Sequence, residues 1–455
     1  MDPYYYIILF SSVVIFSYIF NSISSKTNLP SVILLIGIGV CIQILCTVFK
    51  VDNIEYMKQL EILGIIGVIL IVLEAVLDLK IRKDKIGLII KTILSSIIGL
   101  VGCTYIISFI FRFFLDLDIN NSILYALPLS VLSSAIVIPS VSNLNEYNKE
   151  FLIYESIFSD IIGIIVFYAF LKAMPVNQIE VIDSVNHVNG HDNHSGFSLF
   201  SEIKSIIITI IFSLVISFSI IFLFKKIKAE TKLFFLLSVL FLLYSVGKLF
   251  HLSSLIIILI FGLIISYQNT KNELDDEGDN SDDSDSKWFY LKEQFKIEKS
   301  FFHDLDLITK ESAFLVRTFF FVVFGFSISI GSLFNLDVII CGVIVFLSVF
   351  LFRYLKILLI NRKIISVLFG VAPRGLITVL LFFSIPEHFH QEDSLMEIIQ
   401  GVMLFIILGT SFFMAYALIQ NSKNKKDEYL ELDITNQEDE DLDLQESNFE
   451  SDNNG

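Results

Sequence analysis

Residues 150–163 read Glu150-Phe151-Leu152-Ile153-Tyr154-Glu155-Ser156-Ile157-Phe158-Ser159-Asp160-Ile161-Ile162-Gly163. Asp160 lies about ten residues into an apolar run over 150–174 and has apolar neighbours on both sides. A run of that length crosses a hydrocarbon core of ~30 Å as a helix. It must be a helix because lipid offers the backbone N–H and C=O groups no other partner. An ionised Asp at the centre of such a helix costs ~2.5–3.5 kcal/mol on insertion scales, so an acid kept there has either a task or a partner.

The same kind of run recurs from end to end of the 455 residues, of which 55% are hydrophobic. The mean hydropathy is +0.74. Thirteen spans are expected, at roughly 4–21, 29–49, 60–79, 86–115, 122–144, 150–174, 204–224, 232–250, 251–267, 309–330, 333–353, 363–385 and 396–420. The pattern is that of an all-α polytopic membrane protein; the ten-residue alternation of β-barrel strands is not present. The fourth span is long enough to tilt or to hold an interfacial piece. Only Lys248-Leu249-Phe250-His251 separates the eighth from the ninth.

The formal charge of −16 misdescribes the membrane part, because twelve acids follow Lys426 and eight more lie between Glu273 and Asp285. Acidic, Asn- and Ser-rich segments bury too little apolar surface to order themselves. We therefore expect a transmembrane domain over 1–421, an acidic disordered cytoplasmic loop within it at 268–300, and an acidic disordered cytoplasmic tail at 422–455. Fourteen Lys and Arg fall in one alternate set of loops, among them Lys80, Arg82, Arg353 and Lys356, against six in the other set. The positive-inside rule places the first set in the cytoplasm. That reading puts the N-terminus outside and the tail inside, in a cell membrane. Met1-Asp2-Pro3-Tyr4 has no basic n-region, so the first span reads as retained. The four cysteines all lie in apolar runs and give neither a disulfide framework nor metal spacing. His187, His191 and His194 share one short loop, a weak Zn²⁺ or Ni²⁺ ligand set with no fixed geometry.

Two spans are not continuous apolar helices. The fifth contains Leu132-Ser133-Ser134-Ala135-Ile136-Val137-Ile138-Pro139-Ser140, and the twelfth Gly370-Val371-Ala372-Pro373-Arg374-Gly375. Proline at mid-membrane removes a helical donor and frees a carbonyl that neighbouring groups must satisfy. Interrupted spans seven apart, one in each half of the chain, point to inverted repeats with a transport site where the breaks meet. Two ordinary proline kinks are the alternative.

Burial disfavours the charged form of a carboxylate and a bound cation favours it, so a buried Asp can trade a proton for a metal cation. The hydroxyls of Ser156 and Ser159 suit a small hard cation. Ser156 lies on the Asp160 face, and Glu155 is offset around the helix. A structural carboxylate with a partner is the other reading of Asp160. Arg317 is at membrane depth in the tenth span; it either pairs with Glu155 or snorkels towards the helix end near Glu311. Arg374 either neutralises freed carbonyls at the break or is a cytoplasmic-edge cation beside Arg362 and Lys363. Glu74 and Asp78 read as a solvated cluster with Lys80 and Arg82.

Together these residues resemble the monovalent cation:proton antiporters of the sodium/hydrogen exchanger family. Tyr154–Asp160 is similar to that family's Glu-Ser-x-x-Asn-Asp segment and Leu132–Val137 to its interrupted fifth span. Val316–Phe321 with Gly325 is similar to the tenth span, and Ala372–Ile377 to the Arg-Gly segment of the twelfth. The resemblance implies two interrupted helices in inverted repeats, a dimerisation domain and a mobile core. It further implies Asp160 as the cation and proton site, attended by Ser156, Ser159, Glu155, Ser133 and Ser134. A Glu155–Arg317 ion pair would stand beside that site, with Pro139, Pro373 and Arg374 supporting the breaks. Electrogenic members typically carry Asp-Asp where Ser159-Asp160 stands and Lys on span ten, so one-for-one exchange is implied here. Two departures bear on selectivity: Ala135-Ile136 replaces a Thr-Asp pair, and Ser159 replaces Asn.

The expectation is a secondary active antiporter, not an enzyme, that exchanges Na⁺, or K⁺ or Li⁺, for H⁺ in pH and cation homeostasis. It works in a lipid bilayer as a homodimer, with no cofactor, no nucleotide site and no nucleic-acid partner. An organic-anion symporter of similar architecture would leave Asp160 unexplained, and a membrane sensor has no need of a mid-membrane ion site.

Overall fold

The computed structural model describes residues 3–27, 31–48, 57–79, 85–141, 144–174, 216, 219, 232–249, 254–276, 299–327, 331, 335–360, 365–386, 389, 391–392 and 394–421. All regular structure among them is helical. The helices are α1 (Pro3–Thr27), α2 (Ser31–Val48), α3 (Met57–Leu77), α4 (Ile86–Leu115), α5 (Ile119–Ser130), α6 (Ser134–Ser140) and α7 (Glu146–Ala173). After these come α8 (Lys232–Leu249), α9 (Ser254–Asp276), α10 (Lys299–Ser327), α11 (Leu336–Ile360), α12 (Ile365–Gly370) and α13 (Leu376–Phe383). The last is α14 (Ser394–Asn421). Among the described residues, six spans are long and apolar enough to cross a membrane on length and composition: α2, α4, α5 with α6, α7, α11 and α14. The expected span at 204–224 lies almost wholly outside the described residues, as do the His-rich loop and the tail after Asn421.

Two expected boundaries move. Helix α9 runs to Asp276 and α10 starts at Lys299, so both ends of the expected 268–300 loop are helical. Hydropathy marks where lipid ends, and a helix whose backbone is satisfied internally has no reason to stop there. Residues 277–298 lie outside the described residues.

The helices fall into two packed groups. In one, α10 lies along α2 and α3, α1 lies on α2, and α9 joins α3 to α8. In the other, α4 packs on α5, α7 and α11, and α11 packs on α12. Rings of Phe346, Phe350, Phe369 and Phe413 stack edge to face, with centroids 4.5–6.0 Å apart, and tie α11, α12 and α14 together. Helix α4 ends at Asp116, in the left-handed region at φ 51°. Asp118 then caps α5 by accepting the Asn120 N–H at 3.2 Å, which makes the α4–α5 connection a tight hairpin. At the start of α7, Asn145 accepts the Asn148 N–H at 2.9 Å and Lys85 bonds Glu150.

Helix α10 comes unusually close to α2. A Cβ on Gly39 would lie 2.0 Å from the Val322 carbonyl oxygen, and one on Gly325 2.2 Å from that of Ile36. Two glycines facing backbone across one crossing allow an approach that no side chain permits. Alanine at either position must part the helices. Gly39→Ala or Gly325→Ala should therefore cost about 1–3 kcal/mol, read as a lower thermal midpoint in detergent, while Gly37→Ala, which meets nothing within 4 Å, should leave the midpoint in place.

Candidate functional site

The site is built where two helices open. Helix α5 ends at Ser130, the backbone is extended at Val131 (φ −75°, ψ 132°) and Ser133 (φ −98°, ψ 107°), and α6 begins at Ser134. Helix α12 ends at Gly370, and α13 begins at Leu376 after five non-helical residues. The two openings touch, because the Ser133 N–H donates to the Pro373 carbonyl at 3.0 Å. A Cβ at Gly375 would lie 2.8 Å from the Ser133 hydroxyl oxygen and 2.6 Å from Ile136 Cδ1, so a side chain there would push the openings apart.

The first opening is not where proline predicted it. Helix α6 runs through Pro139, and the break precedes it at Val131–Ser133. Three successive backbone N–H groups leave the helical pattern because each finds an acceptor from elsewhere. Leu132 donates to the Ser159 hydroxyl at 2.9 Å, Ser133 to Pro373, and Ser134 to Asp160 Oδ2 at 3.0 Å. Buried backbone donors have to be paired, and these partners come from α7 and the second opening. The segment beside Asp160 is accordingly Ser133-Ser134, not Ala135-Ile136.

Asp160 sits in the middle of α7, only 3% exposed. One carboxylate oxygen takes the Ser134 amide; the other, Oδ1, is buried with no hydrogen-bond partner among the described residues, as are the hydroxyls of Ser133 and Thr378. Ser159 is spent as the acceptor for Leu132. Ser156 donates to the Ile153 carbonyl of its own helix at 2.9 Å.

Each opened helix leaves carbonyls at its C-terminal end, where the helix dipole is negative. Both ends receive a guanidinium. Arg374 Nε donates to the Leu129 carbonyl at 2.7 Å, and Arg353 donates to the carbonyls of Leu368 and Val371 at 3.0 and 2.6 Å. Arg374 is buried rather than a cytoplasmic-edge cation, and its amide is held by Thr410 on α14 at 3.0 Å.

The expected Glu155–Arg317 pair does not form. Glu155, fully buried, accepts from Lys356 and Ser95 at 2.6 Å each and from Arg353 at 3.1 Å. Arg317 instead bridges both oxygens of Glu74, at 2.7 and 2.8 Å. Five residues turn an α-helix by ~140° beyond one full turn. Glu155 therefore points towards α4 and α11 when Asp160 points at the crossing. Asp78 pairs with Lys310 of α10 at 2.9 Å, while Lys80 and Arg82, expected beside Glu74 and Asp78, lie outside the described residues. Arg353 and Lys356, read above as loop cations, are buried in α11. Their spacing of three, followed by the apolar Ile357-Leu358-Leu359-Ile360, was the available signal of two cations on one face of a continuing helix.

The profile described as the transmembrane sodium/hydrogen exchanger matches residues 11–418. The chain belongs to the sodium/hydrogen exchanger family. This is a family of membrane transporters, not of enzymes. No curated protein matches the chain by sequence. Among solved structures it is similar to the sodium proton antiporter MjNhaP1 from Methanocaldococcus jannaschii at pH 8, with a TM-score of 0.63 and 21% identity over 91% of this chain and 100% of that one. An electron-microscopy structure of the same antiporter gives a TM-score of 0.61 and 19% identity over 93% of this chain and 96% of that one. The shared element is the fold, in which this exchanger-family chain places its two opened helices across each other.

Within the exchanger fold the acids differ in what they can do. Glu155 and Glu74 are each held by cations, whereas Asp160 faces the crossing with one oxygen unpartnered. Removing one member of a buried charge network leaves the others uncompensated, at about 3–5 kcal/mol. Glu155→Gln should therefore lower the thermal midpoint sharply. Adding Lys356→Met, which removes one of the two stranded cations, should restore part of the loss. An unchanged midpoint on Glu155→Gln would contradict the network.

Proposed function

We propose that the protein exchanges one monovalent cation for one proton, with Na⁺ preferred and K⁺ or Li⁺ as possible substitutes, and that Asp160 holds the two in turn. The observation that carries this reading is the Asp160 carboxylate at the crossing of two opened helices, one oxygen bonded to the Ser134 amide and the other without a hydrogen bond among the described residues. A carboxylate there binds a proton or a cation but not both, because either one neutralises it. Oxygen donors for a hard cation are close at hand: the Ser133 hydroxyl at the crossing, Ser156 on the same face of α7 and the carbonyls of the extended segments. The opened backbone serves in place of a shell of acidic side chains.

One-for-one exchange follows from having a single uncommitted acid. Site charge is then the same with H⁺ or Na⁺ bound, and the half-cycles move equal charge. Ser133, Ser134, Ser156 and Asp160 form the ion site, and Ser159, Pro373 and Arg374 keep the openings in register. Glu155 acts as a structural anion. The antiporter works in the cell membrane with its tail in the cytoplasm, as a homodimer, in cation and pH homeostasis. That orientation rests on the Lys and Arg excess of the alternate loops, which survives the withdrawal of Arg353 and Lys356 into α11.

In proteoliposomes, adding Na⁺ should move lumenal pH. Asp160→Asn should abolish the movement in protein that keeps its wild-type thermal midpoint, and an imposed membrane potential should leave the wild-type rate nearly unchanged. Cation-driven proton movement that survives Asp160→Asn would overturn the assignment of the site, and a steep voltage response would overturn the stoichiometry.

A further inference from the structure

Outside the ion site, the outer surface of the α4 group carries a cavity of about 480 Å³ bounded by α4, α5 and α7. Along α4 its wall is Leu100, Thr104, Ser108 and Arg112, with Ile123 of α5 and Phe170 of α7 opposite. The four α4 residues are spaced by four and form one stripe of the helix. At 1.5 Å per residue the stripe is ~18 Å long, close to the ~15 Å of one leaflet's hydrocarbon. Its deep end is apolar at Leu100. Its shallow end is Arg112, three residues before the end of α4, exposed and paired with no carboxylate among the described residues. Val101, Tyr105 and Phe109 also line the groove along α4, and with Phe113 beside it they form an apolar, well exposed face.

We propose that this groove binds one acyl chain of an anionic phospholipid, whose phosphate is held by Arg112 at the membrane surface. The occupant follows from length and charge together. A slot one leaflet deep and open sideways takes an extended hydrocarbon chain, and a lone guanidinium at its mouth takes a phosphate through paired N–H donors. Asp116 and Asp118 lie just beyond the mouth. Asp118 is engaged in capping Asn120, and exposed Asp116 sets a limit on the attraction. The three walls belong to the α4 group that also carries Asp160, so the lipid would ride on the helices that hold the ion site. Binding is independent of which ion the protein moves.

The test is native mass spectrometry of the full-length protein in detergent, titrated with phosphatidylglycerol or with phosphatidylcholine of identical chains. Phosphatidylglycerol should bind more tightly. Arg112→Ala should weaken it about fivefold, the effect of one basic residue at a membrane surface, with little change for phosphatidylcholine. Arg112→Lys should retain most of the preference, and Asp116→Asn should tighten it. Ile123→Trp, which fills the groove, should weaken both lipids. Arg112 and Asp116 are exposed, so the three variants at these positions should keep the wild-type thermal midpoint. Equal affinity for the two lipids in the wild type, or phosphatidylglycerol binding untouched by Arg112→Ala, would overturn the proposal. Because no transport is measured, failure here leaves the antiport reading standing, and failure of antiport leaves this one standing.

Discussion

The hydrogen bond from the Ser133 N–H to the Pro373 carbonyl joins two stretches of backbone that have left the helix inside a membrane-spanning fold. Nothing in hydrocarbon satisfies an opened backbone, so each exposed donor and acceptor has to be answered by protein. The neighbouring structure does this. Ser159 and Asp160 take the amides on either side of Ser133, and Arg353 and Arg374 take the carbonyls where α12 and α5 stop. The lack of a side chain at Gly375 lets the openings meet. The proposed ion site is a consequence of this arrangement, since the backbone opening both creates polar groups at membrane depth and turns one of them towards Asp160.

The buried charges follow the same logic. Among the described residues, Arg353, Lys356 and Arg374 outnumber Glu155 and Asp160 in the interior, an imbalance that would be costly if side chains were the only charges. They are not, because the negative ends of α5 and α12 lie against the two guanidinium groups. Lys356 and Arg353 meanwhile share Glu155, so that acid is fully committed. A buried network of this kind contributes little net stability but is expensive to break. Its effect is to fix the register of α7 against α4 and α11, which leaves Asp160 as the acid facing the crossing.

Much of this was legible in the sequence because the membrane simplifies the reading. Apolar length located the spans, and a lone Asp in the middle of one singled out Asp160. Pro373 and Gly375 marked the second opening correctly. Pro139 misled at the first, because the acceptors that open Val131–Ser133 come from residues 159, 160 and 373, and no local pattern encodes a long-range partner. The Glu155–Arg317 pair is what a guanidinium at membrane depth and the family resemblance suggest, although the ~140° offset of Glu155 from Asp160 already points it elsewhere. Arg353 and Lys356 read as loop cations because hydropathy falls at 353, whereas α11 carries both into the interior.

In the proposed exchange, one carboxylate gives up its proton for the cation. Proton release from purified protein in weakly buffered detergent, followed while Na⁺ is added, tests it without a membrane or a gradient. One proton should be released for each Na⁺ bound by the wild type and none from Asp160→Asn. Sodium binding without proton release in the wild type, or release that persists in Asp160→Asn, would contradict it.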